Sequence, residues 1–171
     1  LHALKNTKPY HISPYSPSSR LYLNELYIDI DRVVEAGTSP DVHKRLADPA
    51  FRGQLEAVRK SEYVEYEAVA SLKRTVLDLC YRAFLRDNFE GTEPDLTPKT
   101  ARGWFFHSFV QKEGEPLAQY ALFQALEEER QCMQSNSVVW ADWPESYRTP
   151  TSVAVAEFRQ RHMKKIRFFQ Y

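Results

Sequence analysis

Apolar residues at helical spacing dominate this chain from Ser39 onwards. The strongest pattern runs from about Glu65 to Arg86, where the apolar positions lie three or four residues apart. They are Val69, Leu72, Val76, Leu79 and Ala83. Two shorter helices are predicted before it, because Ser39-Pro40 and Asp48-Pro49 each place a capping residue before a proline suited to the first helical position. The second should continue through Lys60.

A pair of helices is predicted after a polar connection, Asp87–Leu96. Thr97-Pro98 should begin the first, which ends at Gly114, and Pro116 should begin the second. The residues expected to face inward are Trp104, Phe105, Phe109 and Val110 on the first helix and Leu117, Ala121, Leu122 and Ala125 on the second. Because the connection is so short, the two helices should pack as an antiparallel hairpin.

The last forty residues should combine an ordered loop with a final helix. Gln131–Arg148 lacks a helical period and is rich in aromatic residues, with Trp140, Trp143 and Tyr147, so it should be packed by its own rings. Thr149-Pro150 should restart a helix whose core edge comprises Val155, Phe158, Ile166 and Phe169.

The start of the chain has a different pattern. Two prolines and several serines predict a rigid, non-helical loop over Ser13–Arg20, which presents Tyr15. Leu26, Ile28 and Ile30 then alternate with polar residues, which is typical of a half-buried strand. On loop statistics alone the loop could be a plain structural turn, although binding residues are often carried by loops of this kind.

Composition excludes several function classes. The 23 basic residues balance the 23 acidic ones, so no global field favours nucleic acid or an anionic membrane. No apolar run is long enough to cross a bilayer. Cys80 and Cys132 are too few for a disulfide framework, which favours a reducing compartment, the cytoplasm. A neutral partner fits this composition best.

No side chain stands out as catalytic. Asp29 and Asp31 lie on one side of the predicted strand, but strand-end acids more often bind backbone donors or face water. The run Glu127–Glu129 should be a solvated helix end, and the basic residues of 164–167 an exposed helix face. The five histidines are scattered and give a metal site little support. Cys80 should be a buried small hydrophobe.

Several motifs resemble the 4-alpha-glucanotransferases of the amylomaltase, or disproportionating-enzyme, family. The first is SPYSPSSRLYLNELYIDI, beginning at Ser13. Tyr63-Val64-Glu65-Tyr66 leading into Ala70-Ser71-Leu72-Lys73, the cluster Trp143–Tyr147 and the closing Phe168-Phe169-Gln170-Tyr171 follow in the same order as in the bacterial branch. The first motif is specific, and the later ones support it. The resemblance covers nearly the whole chain.

The resemblance implies a (β/α)8 barrel that transfers α-1,4-glucan segments between maltodextrins by retaining transglycosylation, without a cofactor. The chain would be mainly α, with residues 1–35 providing an early barrel strand and loop and residues 36–171 a helical insertion subdomain. Tyr15 and Ser13 resemble residues beside the cleaved bond, and Tyr10 takes the place of a tyrosine at a secondary glucan site. The implied partners are maltooligosaccharides and the rest of the barrel.

The same resemblance implies that the catalytic acids lie elsewhere. In this family they occur in segments of the types Arg-x-Asp-His, Glu-Asp-Leu-Gly and Thr-His-Asp, none of which is found here. The chain has no initiator Met and ends within an apolar-periodic segment, so it is interpreted as a fragment that is inactive alone. Two alternatives are a non-catalytic α-glucan-binding module and a helical protein-interaction domain.

Overall fold

The computed structural model describes residue 19, residues 21–22, residues 25–133 and residues 140–171. The chain divides into two compact units. The small unit is Leu23–Asn88, and the large unit is Phe89–Tyr171 together with Ser19, Leu21 and Tyr22 among the described N-terminal residues. Both are mainly helical, as the sequence predicts.

The small unit has two 3-10 turns, Glu25–Tyr27 and Ile30–Arg32, followed by four α-helices. These are α1 (Val34–Thr38), α2 (Pro40–Ala47), α3 (Pro49–Lys60) and α4 (Tyr66–Asn88). The predictions for α2, α3 and α4 are confirmed. Asp48 caps α3 by accepting from the Ala50 N–H at 3.1 Å, whereas Ser39 is at the N-cap of α2 without a side-chain capping bond.

The core of the small unit forms where α1, α2 and α3 pack on α4. Its buried members are Ala36, Val42, Phe51, Val76 and Cys80. Leu72 and Leu79 pack against them from the predicted apolar face of α4. The three-and-four spacing therefore identified the side of the long helix that is buried.

The strand predicted over Leu26–Ile30 is wrong, because this segment forms 3-10 turns. The N–H of Ile28 donates to the Glu25 carbonyl at 3.0 Å, and the N–H of Val33 donates to that of Ile30 at 3.0 Å. Lys73 Nζ on α4 donates to the carbonyls of Leu26 at 2.6 Å and Ile28 at 2.8 Å. A strand needs a neighbouring strand to pair with. Here local turns and one lysine satisfy the same backbone groups instead.

We expect Lys73→Met to destabilise the small unit by roughly 1–3 kcal/mol, because two carbonyls lose a charged donor. Methionine keeps most of the apolar stem, so the change isolates the ammonium group. Urea unfolding of the chain measures the effect, and Lys44→Met, at an exposed position on α2, is the matched control. Equal stabilities of the two variants would contradict the anchoring role of Lys73.

The large unit begins with a two-stranded antiparallel sheet. Strand β1 (Phe89–Glu90) pairs with β2 (Thr97–Pro98), with Phe89 opposite Pro98. The prediction that Thr97-Pro98 starts a helix is therefore wrong. The next helix begins at Ala101, and Thr100 caps it by accepting from the Gly103 N–H at 3.1 Å.

Helix α5 (Ala101–Met133) is broken at Gly114, where the backbone has φ 58° and ψ −139°. This positive φ favours glycine. In a straight helix, Phe106 and Glu129 would be about 34 Å apart. Both nevertheless contact the last helix of the unit, at Tyr171 (ring centroids 6.5 Å) and Lys165 (3.0 Å), positions only about 9 Å apart along that helix. The two arms of α5 therefore fold back towards each other, in agreement with the predicted hairpin.

The inward face predicted for the first arm of α5 is wrong for Trp104, Phe105 and Phe109, which are exposed, whereas Val110 is half-buried. Trp104 is 55% exposed and Phe105 is 77% exposed. The face that packs inward is offset by a residue and contains buried Gly103 and half-buried Phe106, whose ring meets that of Phe89 edge to face at 6.2 Å. The face predicted for the second arm is confirmed, since Leu117, Ala121, Leu122 and Ala125 are all buried.

Three short helices complete the large unit after a 3-10 turn at Trp140–Asp142. They are α6 (Glu145–Arg148), α7 (Val153–Arg161) and α8 (Met163–Gln170). Ser152, rather than Thr149-Pro150, starts α7, because its Oγ accepts from the Val155 N–H at 3.2 Å. His162 separates α7 from α8. The predicted core edge is confirmed. Val155, Phe158 and Ile166 are buried in one cluster with Trp143 and with the second arm of α5, and Phe169 packs against this cluster.

Candidate functional site

The predicted substrate residues Tyr10, Ser13 and Tyr15 lie outside the described residues, so their roles stay predictions. The structure does show how the chain continues after this loop. Ser19 Oγ accepts from the N–H of Leu21 at 3.1 Å and from that of Tyr22 at 3.3 Å. Such local serine bonds are typical of turns. Ser19, Leu21 and Tyr22 are therefore held together by local bonds.

Tyr22 fixes this turn to helix α5. Its ring lies against that of Tyr120, with centroids 4.7 Å apart and planes at 36°. Its pKa is raised, first by burial and then by the charge of Glu113 and a side-chain hydrogen bond with it. Two contacts on different arms of α5 thus hold one tyrosine. Tyr22 lies in the motif that begins at Ser13, but the sequence gives no signal for partners about a hundred residues away.

A cavity of about 330 Å³ opens in the large unit between the second arm of α5, α6 and the start of α7. Four of the residues that line it are aromatic: Phe123, Trp140, Trp143 and Tyr147. Gln119 and Arg148 are the lining residues with polar side-chain ends that could bind hydroxyl groups. We call this cavity the aromatic pocket. Its lining confirms part of the prediction for Gln131–Arg148, because Trp143 and Tyr147 pack into the core there.

The walls of the aromatic pocket are held by stacking and hydrogen bonds. Trp143 is buried and stacks on Phe123, with centroids 5.5 Å apart and planes at 23°. The guanidinium of Arg130 lies 3.9 Å from the ring centroid of Tyr147. Arg148 Nε donates to the Trp143 carbonyl at 2.6 Å, which ties α6 to the turn before it. These contacts fix the rings relative to one another.

Several acidic residues of the described chain have structural partners. Asp29 Oδ1 accepts from the Asp31 N–H at 3.2 Å and caps the 3-10 turn, so the two carboxylates do not share a strand face. The prediction of a solvated run at 127–129 is wrong in part, because Glu127 is buried and Glu129 pairs with Lys165 at 3.0 Å. The hydrogen bond from Lys165 holds the pKa of Glu129 below its usual range.

The basic residues near the C-terminus also differ from the predicted exposed face. Lys164 is exposed, but Lys165 and Arg167 are half-buried. Arg167 pairs with Glu93 at 3.2 Å. Burial raises the pKa of Glu93, and the charges of Arg167 and Lys164 oppose that rise. This part of α8 therefore contributes to packing within the large unit.

Those of the remaining candidates that the structure describes are not brought together into a reactive site. Cys80 is fully buried, and burial raises the pKa of its thiol to about 11, with the Glu35 charge adding to the rise. A thiol with this pKa is a poor nucleophile. Among the described residues, no group of three or more metal-binding side chains converges. Within the same part of the chain, no helix is both long and apolar enough to span a bilayer.

Comparison with known proteins identifies the family. The model of glycoside hydrolase family 77, described as 4-alpha-glucanotransferase, matches residues 1–171. The chain therefore belongs to the 4-alpha-glucanotransferase family, as the resemblance of its motifs implies.

Individual relatives show which share of such a protein this chain represents. It is 26% identical to the 4-alpha-glucanotransferase of Haemophilus influenzae, over 100% of this chain and 24% of that protein. It is 25% identical to the 4-alpha-glucanotransferases of Mycobacterium bovis and Mycobacterium tuberculosis, over 96% of this chain and 20% of each relative. The chain thus spans between a fifth and a quarter of the length of these curated relatives, which is consistent with a fragment.

Proposed function

We propose that this chain is part of a cytoplasmic 4-alpha-glucanotransferase that moves α-1,4-linked glucose units between maltodextrins. The observation that carries the proposal is the family match over all 171 residues. The balanced charge fits a neutral polysaccharide substrate. In a retaining mechanism, a carboxylate attacks the sugar and a second carboxyl group acts as acid and then as base. An acceptor sugar replaces water in the second step, and the two carboxyl groups supply all the catalysis, so the proposed reaction needs no cofactor.

The role proposed for this chain is to supply substrate contacts rather than the reacting carboxylates. The three acidic segments of the family are missing from its sequence, and three of the described acids, Asp29, Glu93 and Glu129, have structural partners. Residues 1–35 would belong to the catalytic barrel and residues 36–171 to a helical insertion. Tyr15, with Ser13 close to it, would pack on the sugar beside the cleaved bond, and Tyr10 would contact glucan at a secondary position.

The experiment that tests the activity is incubation of the full-length protein with maltotriose. Transfer of a maltosyl unit from one molecule to another should produce glucose and maltopentaose in equal amounts. Hydrolysis would instead produce glucose and maltose, and the two outcomes are separated by chromatography of the products. A full-length protein that yields no maltopentaose, whether or not it releases glucose, would overturn the proposed function.

We expect Tyr15→Ala in the full-length protein to lower kcat/KM for maltotriose without unfolding the protein. The loss of one contact at the reacting sugar should cost roughly 1–3 kcal/mol of transition-state stabilisation. The prolines on either side of Tyr15 restrict the loop without the ring, so the melting temperature should stay nearly unchanged. Tyr63→Ala, at a tyrosine that is 77% exposed, is the control and should keep wild-type kinetics. Wild-type kinetics of Tyr15→Ala itself would refute the substrate role.

A further inference from the structure

The aromatic pocket is too large to be a packing defect. Natural protein interiors contain few voids larger than one water molecule. At about 330 Å³, this cavity lies instead at the lower end of the range for small-molecule sites. Trp140 is 45% exposed, so its indole can be reached from solvent. A cavity of this size with a solvent-accessible wall can admit a ligand.

The chemistry of the lining fits a sugar ring. A pyranose has apolar C–H faces and a rim of hydroxyl groups, so it pairs with aromatic faces and with groups that both donate and accept hydrogen bonds. The pocket offers the exposed Trp140 and the half-buried Tyr147 as aromatic faces. Of its hydrogen-bonding groups, Gln119 both donates and accepts, and Arg148 donates. We propose that the aromatic pocket binds a pyranose ring of an α-1,4-glucan. This inference rests on the proposed function for the class of sugar.

Among the described residues, the polar groups of the pocket keep hydrogen-bonding capacity for a ligand. Gln119 Nε2 donates to the Glu115 carboxylate, and this bond uses one of the two amide hydrogens and leaves the amide oxygen as an acceptor. Arg148 donates through Nε to the Trp143 carbonyl, and no described residue takes the four hydrogens on its two terminal nitrogens. Each side chain is thus positioned by one contact within the protein while other atoms can face a hydroxyl group.

The site is also largely pre-formed. Trp143 is held between its stack on Phe123 and the bond to its carbonyl from Arg148. Tyr147 is held by Arg130. A ligand therefore needs to order little more than the exposed Trp140, and fewer ordered groups mean a smaller entropic cost of binding.

We expect Trp140→Ala to weaken the binding of the 171-residue chain to amylose. Affinity electrophoresis in native gels with increasing amylose measures the dissociation constant. Loss of one aromatic wall should raise that constant about tenfold. Trp104→Ala is the matched control, because Trp104 is also an exposed tryptophan of the large unit but does not line the pocket. The melting transitions of both variants should coincide with the wild type, since neither indole is buried.

Two further measurements make the result specific. Gln119→Leu keeps a side chain of similar size but removes the amide, and it should also weaken retardation by amylose. A gel containing hydroxyethyl cellulose, a soluble β-1,4-glucan, should retard the wild type little. The proposal is overturned if amylose does not retard the wild-type chain, if Trp140→Ala and Trp104→Ala bind alike, or if both polymers retard the chain equally.

The test of glucan binding by the aromatic pocket can fail independently of the test of the proposed function. Disproportionation of maltotriose by the full-length protein tests the enzyme, whereas retardation of the chain tests the pocket. The effect of Trp140→Ala should also persist in a Tyr15→Ala background, so that contacts made by the loop do not account for it. An active full-length protein combined with unchanged retardation of Trp140→Ala would reject the pocket alone.

Discussion

The 171-residue chain should release no glucose from maltotriose at any pH. Retaining transfer requires one carboxylate as nucleophile and another as acid and base on the two sides of the glycosidic bond. None of the three acidic motif segments of the family is found in this sequence. Asp29 acts as a cap, Glu129 pairs with Lys165 and Glu93 pairs with Arg167. A glucose-coupled assay over a range of pH values measures the release.

The informative control is the full-length protein at the same molar concentration. It should disproportionate maltotriose under conditions in which the chain alone does not, and mixing in an excess of the chain should not add to its rate. Glucose release by the purified chain, persisting after a further chromatographic step that removes contaminating enzymes, would show that its own carboxylates are reactive. The division of roles proposed above would then be wrong.

The helices that the sequence predicts well are those whose start signals are local. Asp48 and Pro49 begin α3, and both act through bonds and dihedral angles within one turn. Gly114 likewise breaks α5 through its own backbone conformation. The buried face of the second arm follows from apolar spacing, because Leu117, Ala121, Leu122 and Ala125 recur at intervals of three or four residues.

The errors occur where a distant residue decides the local structure. Lys73 binds the carbonyls of a segment whose alternating pattern is typical of a strand. On the first arm of α5, Phe105 and Phe106 are adjacent and equally apolar, so spacing alone could not choose between them. Contact with Phe89 and Tyr171 selects Phe106. Pairing with β1 likewise overrides the helix signal of Thr97-Pro98.

The aromatic pocket also depends on residues that are distant in the sequence. The sequence indicates that the aromatics around Trp143 pack together, but the pocket also needs Gln119 and Phe123 from α5, some twenty residues earlier. No periodicity joins these segments. The pocket therefore emerges only from the way in which α6 and α7 pack on the second arm of α5.

Trp143→Ala should be among the most destabilising single changes in the large unit. Trp143 is only 2% exposed and contributes to both the stack on Phe123 and the buried cluster with Leu126 and Val155. Truncation of a buried tryptophan typically costs about 3–5 kcal/mol, from lost burial and the cavity left behind. In a chain of this size, a loss of that order lowers the melting temperature by roughly 6–20 °C. Thermal unfolding followed by circular dichroism measures the shift.

Trp143→Phe separates the contribution of ring packing to stability from that of the indole N–H. The indole N–H of Trp143 finds no hydrogen-bond acceptor among the described residues, so its removal forfeits no bond and exposes no partner. Phenylalanine can keep the stack on Phe123, and the variant should lose clearly less stability than Trp143→Ala. Trp104→Ala should change stability by no more than about 0.5 kcal/mol, because its side chain is largely in solvent. If the two alanine variants melted together, Trp143 could not be the central residue of this core.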